Sequence, residues 1–210
     1  MFPSNTWCFD LEIVNAIPTR DAPMERGIYY CNGWGDHAGM GVSVLVATKL
    51  DGTETRIFIG STVKGSELQI SFEWLPAFNR LVDDCDLLIG YGSRHFDAKV
   101  LRAKGIEIPE KKHMDFLLEI KKSLNNYAPK GFKLGDLSQR CGGGSKLELG
   151  AMAPFLWQRG EKQRVVDYCT SDAQMLIAIA NYYVRNNWTV PNIKGDAVKL
   201  RTPTAIMMEG

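Results

Sequence analysis

Four acidic side chains and one tyrosine are the residues of this chain best suited to chemistry. They are Asp10 and Glu12 in CFDLEIV, Asp97 in HFDAKV, and Tyr168 and Asp172 in DYCTSDAQ. If folding brought the carboxylates together, they would form a cage of oxygen ligands suited to hard cations such as Mg2+ and Mn2+. Two such cations with a phenol beside them can hydrolyse a phosphodiester.

Asp10 and Glu12 lie on a predicted strand near the start of the chain. Two sets of residues alternate there, one apolar and one containing the two acids, as expected for a strand with two different faces. The first set is Trp7, Phe9, Leu11 and Ile13, and the second is Cys8, Asp10, Glu12 and Val14. Both acids therefore project from one face, about 7 Å apart. Because like charges this close repel, a bound cation would stabilise them. The alternative is an edge strand whose acids face water.

Tyr168 and Asp172 lie on a long predicted helix, EKQRVVDYCTSDAQMLIAIANYYVRNN. Apolar residues recur in it at helical spacing. They include Val165, Cys169, Leu176, Ala180 and Val184. Four residues of helix, about 6 Å of rise, place Tyr168 and Asp172 on one face. Read alone, the pair is also the pattern of a surface aspartate beside a half-buried tyrosine.

Asp97 follows an apolar run, residues 86–90, that predicts a short buried strand and then a glycine-rich turn. The pattern predicts that Phe96 packs inward and that Asp97 opens a helix. The alternative is an aspartate that only satisfies free amides in the first helical turn, which contributes about 1 kcal/mol.

The remaining elements predict an α/β fold. Strands are expected at Met40–Leu50 and Thr55–Ile59, joined at the turn Asp51-Gly52, and at Leu87–Gly90 and His113–Asp115; helices are expected at Phe72–Val82, Ala98–Lys104 and about Asp115–Leu124. Three antiparallel strands followed by alternating helices and strands predict a mixed five-stranded sheet with helices on both faces. The first strand, with Asp10 and Glu12, would be central.

The chain carries D-x-E on its first strand, F-D after a later strand and Y-x-x-x-D on a late helix. In this order, the three acidic motifs resemble the exonuclease motifs of the DEDD superfamily. These are ribonuclease H-like 3'-5' exonucleases that include the proofreading domains of DNA polymerases. The stretches GWGDHAGMGVSVLVATKL, HMDFLLEIKKSLN and DYCTSDAQML are also similar to small stand-alone exonucleases related to family B proofreading domains. The resemblance covers roughly residues 5–185 and implies a ribonuclease H-like fold.

The resemblance implies a two-metal exonuclease that hydrolyses single-stranded DNA, or less favourably RNA, from the 3' end to nucleoside 5'-monophosphates. It implies that Asp10, Glu12 and Asp172 hold one Mg2+ or Mn2+, and that Asp97, with Asp10 bridging, holds a second. Tyr168 would orient the attacking water. A tyrosine at this position indicates the tyrosine subtype, since the histidine subtype carries its base five residues before the last aspartate, where this chain has Asp167.

Four residues are candidates for substrate binding. Trp34 lies in a long loop, residues 15–39, beside the first motif, where it would stack on a base or else tuck the loop onto the core. Gly92 stands where members of the DEDD superfamily commonly have an asparagine that helps bind the nucleic-acid substrate. The glycine is therefore expected to affect the positioning of the substrate more than metal binding. Phe96 precedes Asp97. Lys146 follows CGGGS in a connector, residues 125–150, that lacks a phosphate-loop motif and would at most touch a nucleic-acid backbone.

Composition limits the other functional classes. A net charge of +1 excludes a strongly basic protein, although a local basic groove stays compatible with it. Five cysteines without C-x-x-C spacing suggest reduced thiols rather than zinc ligands or disulfides. With no signal-peptide pattern and no apolar stretch of about 18 residues, a cytoplasmic protein without membrane contact is expected.

The domain prediction is a ribonuclease H-like domain over residues 1–187 and a tail or edge extension over 188–210. Single-stranded 3' ends are the expected partners, together with replication or repair proteins. Two other functions stay open at this point. One is a ribonuclease H-like endonuclease, and the other is a binding module that kept the fold without catalysis.

Overall fold

The protein is described by a computed structural model that covers residues 1–64, 67–145 and 150–200. Its strands are β1 Thr6–Glu12, β2 Val44–Lys49, β3 Thr55–Ile59, β4 Ser61–Lys64, β5 Glu67–Ile70, β6 Leu87–Gly90, β7 His113–Asp115, β8 Thr189–Pro191 and β9 Ala197–Lys199. Its α-helices are α1 His37–Met40, α2 Trp74–Asp84, α3 Asp97–Arg102, α4 Phe116–Leu124, α5 Leu134–Arg140, α6 Ala153–Gln158 and α7 Lys162–Arg185. Short 3-10 turns cover Glu110–Lys112 and Gly150–Met152.

Five strands form the central sheet in the order β3-β2-β1-β6-β7. β1, β2 and β3 are antiparallel neighbours, whereas β6 runs parallel to β1 and β7 runs parallel to β6. The predicted fold, a mixed five-stranded sheet of the ribonuclease H-like arrangement, is therefore confirmed. β1 lies in the middle, and its carboxyl end, with Asp10 and Glu12, lies at the same edge of the sheet as the ends of β6 and β7.

The alternation along β1 separates two apolar layers. Phe9 and Leu11 on one face belong to the core cluster that includes Phe78 of α2 and Val100 of α3. On the opposite face, Cys8 joins a cluster built largely from α4, α5 and α7. Because side chains alternate along a strand, Asp10 and Glu12 project toward the α7 side.

Several predicted boundaries differ from the structure. The strand predicted from Met40 begins at Val44, because Asp36 accepts a 2.9 Å hydrogen bond from the Gly39 amide and starts α1 there. The connector predicted over residues 125–150 contains α5, whose buried Leu134 and Leu137 pack in the α7-side cluster. The hairpin of β4 and β5 was not predicted.

Residues 188–200 form a hairpin of β8 and β9. Val190 and Leu200 are buried in the α7-side cluster, and the Trp188 ring lies 5.1 Å from the ring of Tyr183 and 6.1 Å from that of Phe2. The division into a domain over residues 1–187 and an extension over 188–210 stays a prediction. None of the helices in the described residues has both the length and the apolar character that crossing a membrane requires.

Candidate metal centre and its cleft

Asp10, Glu12 and Asp172 converge on one point. One carboxylate oxygen from each lies within 4.8 Å of the others. Asp172 is 2% exposed, whereas Asp10 and Glu12 are half-buried. Three carboxylates at this spacing repel one another unless a cation or a proton intervenes, so the cluster has the composition and spacing of a site for a divalent cation.

Helix α7 brings Asp172 to the strand. Cys169, three residues earlier, donates a 3.3 Å hydrogen bond from its thiol to the backbone carbonyl of Asp10. Val165 and Ala173 pack with Val44 and Val46 of β2 in a buried cluster. The apolar face of α7 therefore fixes the position of the helix against the sheet. This position brings Asp172 beside the acids of β1.

Tyr168 lies one turn before Asp172 and is 1% exposed. Burial raises the pKa of its phenol far above the usual value, and the negative charges of Asp172, Glu12 and Asp10 raise it further. Its hydroxyl is hydrogen-bonded to Asp172, which favours the protonated phenol. Burial and the neighbouring carboxylates therefore both favour a neutral Tyr168 that donates a hydrogen bond.

Asp97 lies in the same cleft but outside the group of three carboxylates. It is the first residue of α3 and is 7% exposed. The cleft, with a volume of about 480 Å³, is lined by Asp10, Glu12, Asp97, Tyr168 and Asp172 together. All five predicted catalytic residues thus face one space.

The turn that leads to Asp97 is held by the end of β7. The Asp115 carboxylate accepts hydrogen bonds from the amides of Gly92, at 2.8 Å, and Arg94, at 3.0 Å. The Ser93 hydroxyl lies 2.9 Å from Nε2 of His113. Burial, with a smaller contribution from the Arg94 charge, lowers the pKa of His113 to about 3, so this imidazole is neutral.

Three of the predicted substrate-binding residues, Trp34, Gly92 and Phe96, line the cleft. Trp34 is 70% exposed, and its ring meets the ring of Phe96 edge-on with centroids 6.2 Å apart. Phe96 is half-buried and packs against the core cluster of α2 and α3, as predicted, whereas Trp34 stands exposed at the opening. Lys146, the fourth candidate, lies outside the described residues.

Other residues that line the cleft were not predicted from the sequence. They are Leu11, Ile13, Ile17, Thr19, Tyr91, Gly150, Ala151 and Pro154. Tyr91 directly follows β6. Its position in the turn before Asp97 could have predicted that it lines the cleft. Gly150 approaches the phenol closely, since a Cβ atom there would lie 3.4 Å from the Tyr168 hydroxyl.

The long loop between β1 and α1 is fastened to the end of α6, in large part by Gln158. Its side-chain amide donates to the carbonyls of Val14, at 2.7 Å, and Tyr29, at 3.0 Å, and its oxygen accepts from the Tyr29 amide at 2.7 Å. Arg159 forms a two-point ion pair with Glu25 beside it. These contacts keep Ile17, Thr19 and Trp34 at the cleft.

The donor set fits hard divalent cations. The group of three offers carboxylate oxygens only, as Mg2+ and Mn2+ prefer, whereas zinc favours histidine and cysteine ligands. The nearby Cys169 thiol is engaged with the Asp10 carbonyl, and burial together with the neighbouring carboxylates raises its pKa well above the usual value. It is therefore not the thiolate that a soft metal would need.

Comparison with solved structures identifies a fold neighbour. The chain matches the structure of the family B DNA polymerase from the hyperthermophilic archaeon Pyrobaculum calidifontis with a TM-score of 0.60 and 17% sequence identity. The match covers 87% of this chain but 25% of the polymerase, so the chain corresponds to about a quarter of that protein. At this identity the likeness concerns the fold. No protein-family model matches the sequence, and no curated protein does.

Proposed function

We propose that this chain is a metal-dependent 3'-5' exonuclease of the DEDD type, tyrosine subtype, acting on single-stranded nucleic acid, with DNA favoured over RNA. The observation that carries the proposal is the convergence of Asp10, Glu12 and Asp172 within 4.8 Å, in a cleft shared with Asp97 and Tyr168. The fold likeness to a family B DNA polymerase supports it.

Asp10, Glu12 and Asp172 would hold one divalent cation, and Asp97, with Asp10, would hold a second. When bound, two Mg2+ or Mn2+ ions lower the pKa of the attacking water and offset charge on the phosphate and the departing oxygen. The carboxylates themselves provide rigid oxygen ligands, because β1 is central in the sheet and α7 is packed against it.

Tyr168 would orient the attacking water rather than take its proton, because its raised pKa keeps the phenol protonated. The water oxygen joins the phosphorus, and the bond from phosphorus to the 3'-oxygen breaks. One proton of the water, passed through solvent, completes the departing 3'-hydroxyl. The product is a nucleoside 5'-monophosphate and a strand shortened by one nucleotide.

Trp34 and Phe96 would contact the terminal bases. Both residues line the cleft, with the exposed Trp34 ring edge-on to the half-buried Phe96 ring, and stacking of a base on an aromatic ring contributes about 1–3 kcal/mol without sequence preference. Such contacts suit an enzyme that must accept any terminal base. Replication or repair proteins are the partners expected for this activity.

The test is digestion of 3'- and 5'-labelled DNA and RNA oligonucleotides with Mg2+, with Mn2+ and with EDTA. A ladder that shortens from the 3' end, in metal only, is expected for the wild type and is abolished in Asp10→Asn. Asp167→Asn is the matched control, since Asp167 is exposed on the same helix as the site. Internal cuts would instead support an endonuclease, and binding without cleavage would support a non-catalytic module.

A further inference from the structure

A second groove lies beside the cleft and takes no part in the proposed chemistry. It has a volume of about 310 Å³ and is lined by His95, Leu118, Lys121, Lys122, Asn125, Asn126 and Tyr127. Apart from Leu118 these are polar or aromatic side chains, and two carry a positive charge. Its chemistry is that of a surface for an anionic, aromatic ligand rather than an apolar one.

The groove adjoins the cleft through one turn of chain. His95 lines the groove, whereas Phe96 and Asp97, the next two residues, line the cleft. Consecutive Cα atoms are 3.8 Å apart, so the Cα atoms of His95 and Asp97 are within about 7.6 Å. A strand that ends on the carboxylates and is long enough to leave the cleft would continue into the groove.

The segment that contains most of the groove is more positive than the loop that lines the cleft with Trp34. Residues 117–133, which contain most of the groove, carry Lys121, Lys122, Lys130 and Lys133 against the single acid Glu119. Residues 15–36, the loop that lines the cleft at Ile17, Thr19 and Trp34, carry two arginines and three acids. An anionic strand that leaves the cleft is therefore favoured to run over α4 and the residues after it.

Lys121 and Tyr127 are the two side chains of the groove best placed to bind a ligand. Lys122 forms a 2.8 Å ion pair with Glu119, which neutralises much of its charge. Lys121, half-buried, forms no ion pair with any of the residues that the structure describes. Tyr127 is 92% exposed, although a tyrosine ring gains from being covered. A phosphate on Lys121 and a base on Tyr127 would satisfy both.

We infer that this groove binds the single strand on the 5' side of the scissile end, with Lys121 on a backbone phosphate and Tyr127 stacked on a base. The direction in which the strand runs rests on the proposed function. Binding of a single strand in the groove depends only on the residues that line it. It makes the enzyme sensitive to substrate length, because only a strand long enough to leave the cleft gains these contacts.

The test measures binding apart from cleavage. Fluorescence anisotropy in EDTA is recorded for a labelled trinucleotide and a 12-nucleotide single strand, with wild type, Lys121→Gln and Tyr127→Ala. Lys111→Gln is the matched control, an exposed lysine just before β7 at the other end of the sheet. Circular dichroism confirms that each variant is folded.

The expected result is that Tyr127→Ala weakens binding of the 12-nucleotide strand roughly tenfold, that Lys121→Gln weakens it severalfold, and that neither changes trinucleotide binding. Lys121→Gln also lowers the slope of log K against log salt by about 0.7, the value for one phosphate contact on a single strand. Lys111→Gln leaves both quantities unchanged.

Wild-type affinity for the long strand in both groove variants would overturn the inference, as would equal competition by an acidic peptide of matched charge. If wild type cleaves from the 3' end but the groove variants bind normally, the groove is refuted while the proposed function stands. If the long strand binds through Lys121 and Tyr127 but is not cleaved, the groove holds and the proposed function fails.

Discussion

The backbone amide of Gly92 donates a 2.8 Å hydrogen bond to the carboxylate of Asp115. The same carboxylate accepts from the amides of Arg94, at 3.0 Å, and Leu118, at 3.2 Å. Asp115 thus starts α4 and fixes the turn before Asp97 with a single buried side chain. The position of one proposed metal ligand therefore depends on a residue that does not itself line the cleft.

Asp115→Ala is expected to lower the free energy of unfolding by about 2–4 kcal/mol, because three amides lose a charged acceptor. Asp115→Asn, which keeps one acceptor oxygen, is expected to lose about half as much. Urea denaturation measures both changes. The exposed Asp83→Ala is the control and stays within about 0.5 kcal/mol of wild type. A fully stable Asp115→Ala protein would contradict this role.

Gly92→Asn is expected to fold with a stability within about 1 kcal/mol of wild type, because asparagine tolerates a positive φ better than most residues. Gly92 has φ 71°, and a Cβ atom there would meet Leu117 at an ordinary 3.6 Å. The new amide would line the cleft, so KM for single strands is expected to fall.

Gly92→Val has no such compatibility with the left-handed conformation and is expected to cost about 1–3 kcal/mol. Chemical denaturation and steady-state kinetics on an oligonucleotide measure the pair of variants. If Gly92→Asn raised KM, the added amide would be an obstruction rather than a substrate contact.

Asp172→Asn is expected to raise the melting temperature in EDTA by about 2–4 °C, the equivalent of about 1 kcal/mol in a protein of this size. The reason is that one of three mutually repelling carboxylates is neutralised. Stabilisation by Mn2+ is expected to disappear, and exonuclease activity is expected to fall at least about a thousandfold.

Thermal denaturation with and without Mn2+ checks this pattern, with Asp167→Asn as the control that keeps the metal response. A variant that melts lower than wild type in EDTA, yet still gains stability from Mn2+, would show that Asp172 has a packing role and holds no cation.

Tyr168→Phe is expected to slow hydrolysis about ten- to a hundredfold without changing the Mn2+ concentration needed for half-maximal activity. Because burial raises the pKa of the Tyr168 phenol above its usual value, wild type and variant are expected to have parallel rate profiles from pH 7 to 10. Single-turnover rates measure this. A rate that rises with ionisation of Tyr168 would make it a base.

His113→Gln is expected to flatten the dependence of stability on acid pH. The folded-state pKa is about 3 and the unfolded value about 6.5, so the unfolded chain binds a proton that the native state does not. The stability contributed by the neutral imidazole is therefore complete above pH 6.5 and is lost as pH falls toward 3, by up to about 1.4 kcal/mol per unit.

Denaturation midpoints at pH 7, 6, 5 and 4 measure the slope. The glutamine amide can still meet Ser93, and His95→Gln, at an exposed histidine, is the control that keeps the wild-type slope. Equal slopes in wild type and His113→Gln would contradict the lowered pKa.

The elements that could be predicted from the sequence are those with a strong local pattern. The alternation from Trp7 to Val14 specified β1 and its two faces, and the helical period specified α7, which the structure places at Lys162–Arg185. The short helices α1 and α5 were not predicted, because each has few apolar residues and depends on a cap or a small buried patch. The β4 and β5 hairpin was missed because its two strands, of four residues each, contain three apolar residues in all.

The sequence by itself determined which residues are suited to metal chemistry and which share a face: Asp10 with Glu12 by a strand repeat, and Tyr168 with Asp172 by a helical turn. Those are short-range relations, set by the geometry of one element. Only the tertiary structure decided that Asp172 reaches the acids of β1 while Asp97 faces them from α3, and that Lys121 and Tyr127 form a groove beside them. These distances depend on how helices pack on the sheet, which burial of distant apolar side chains controls.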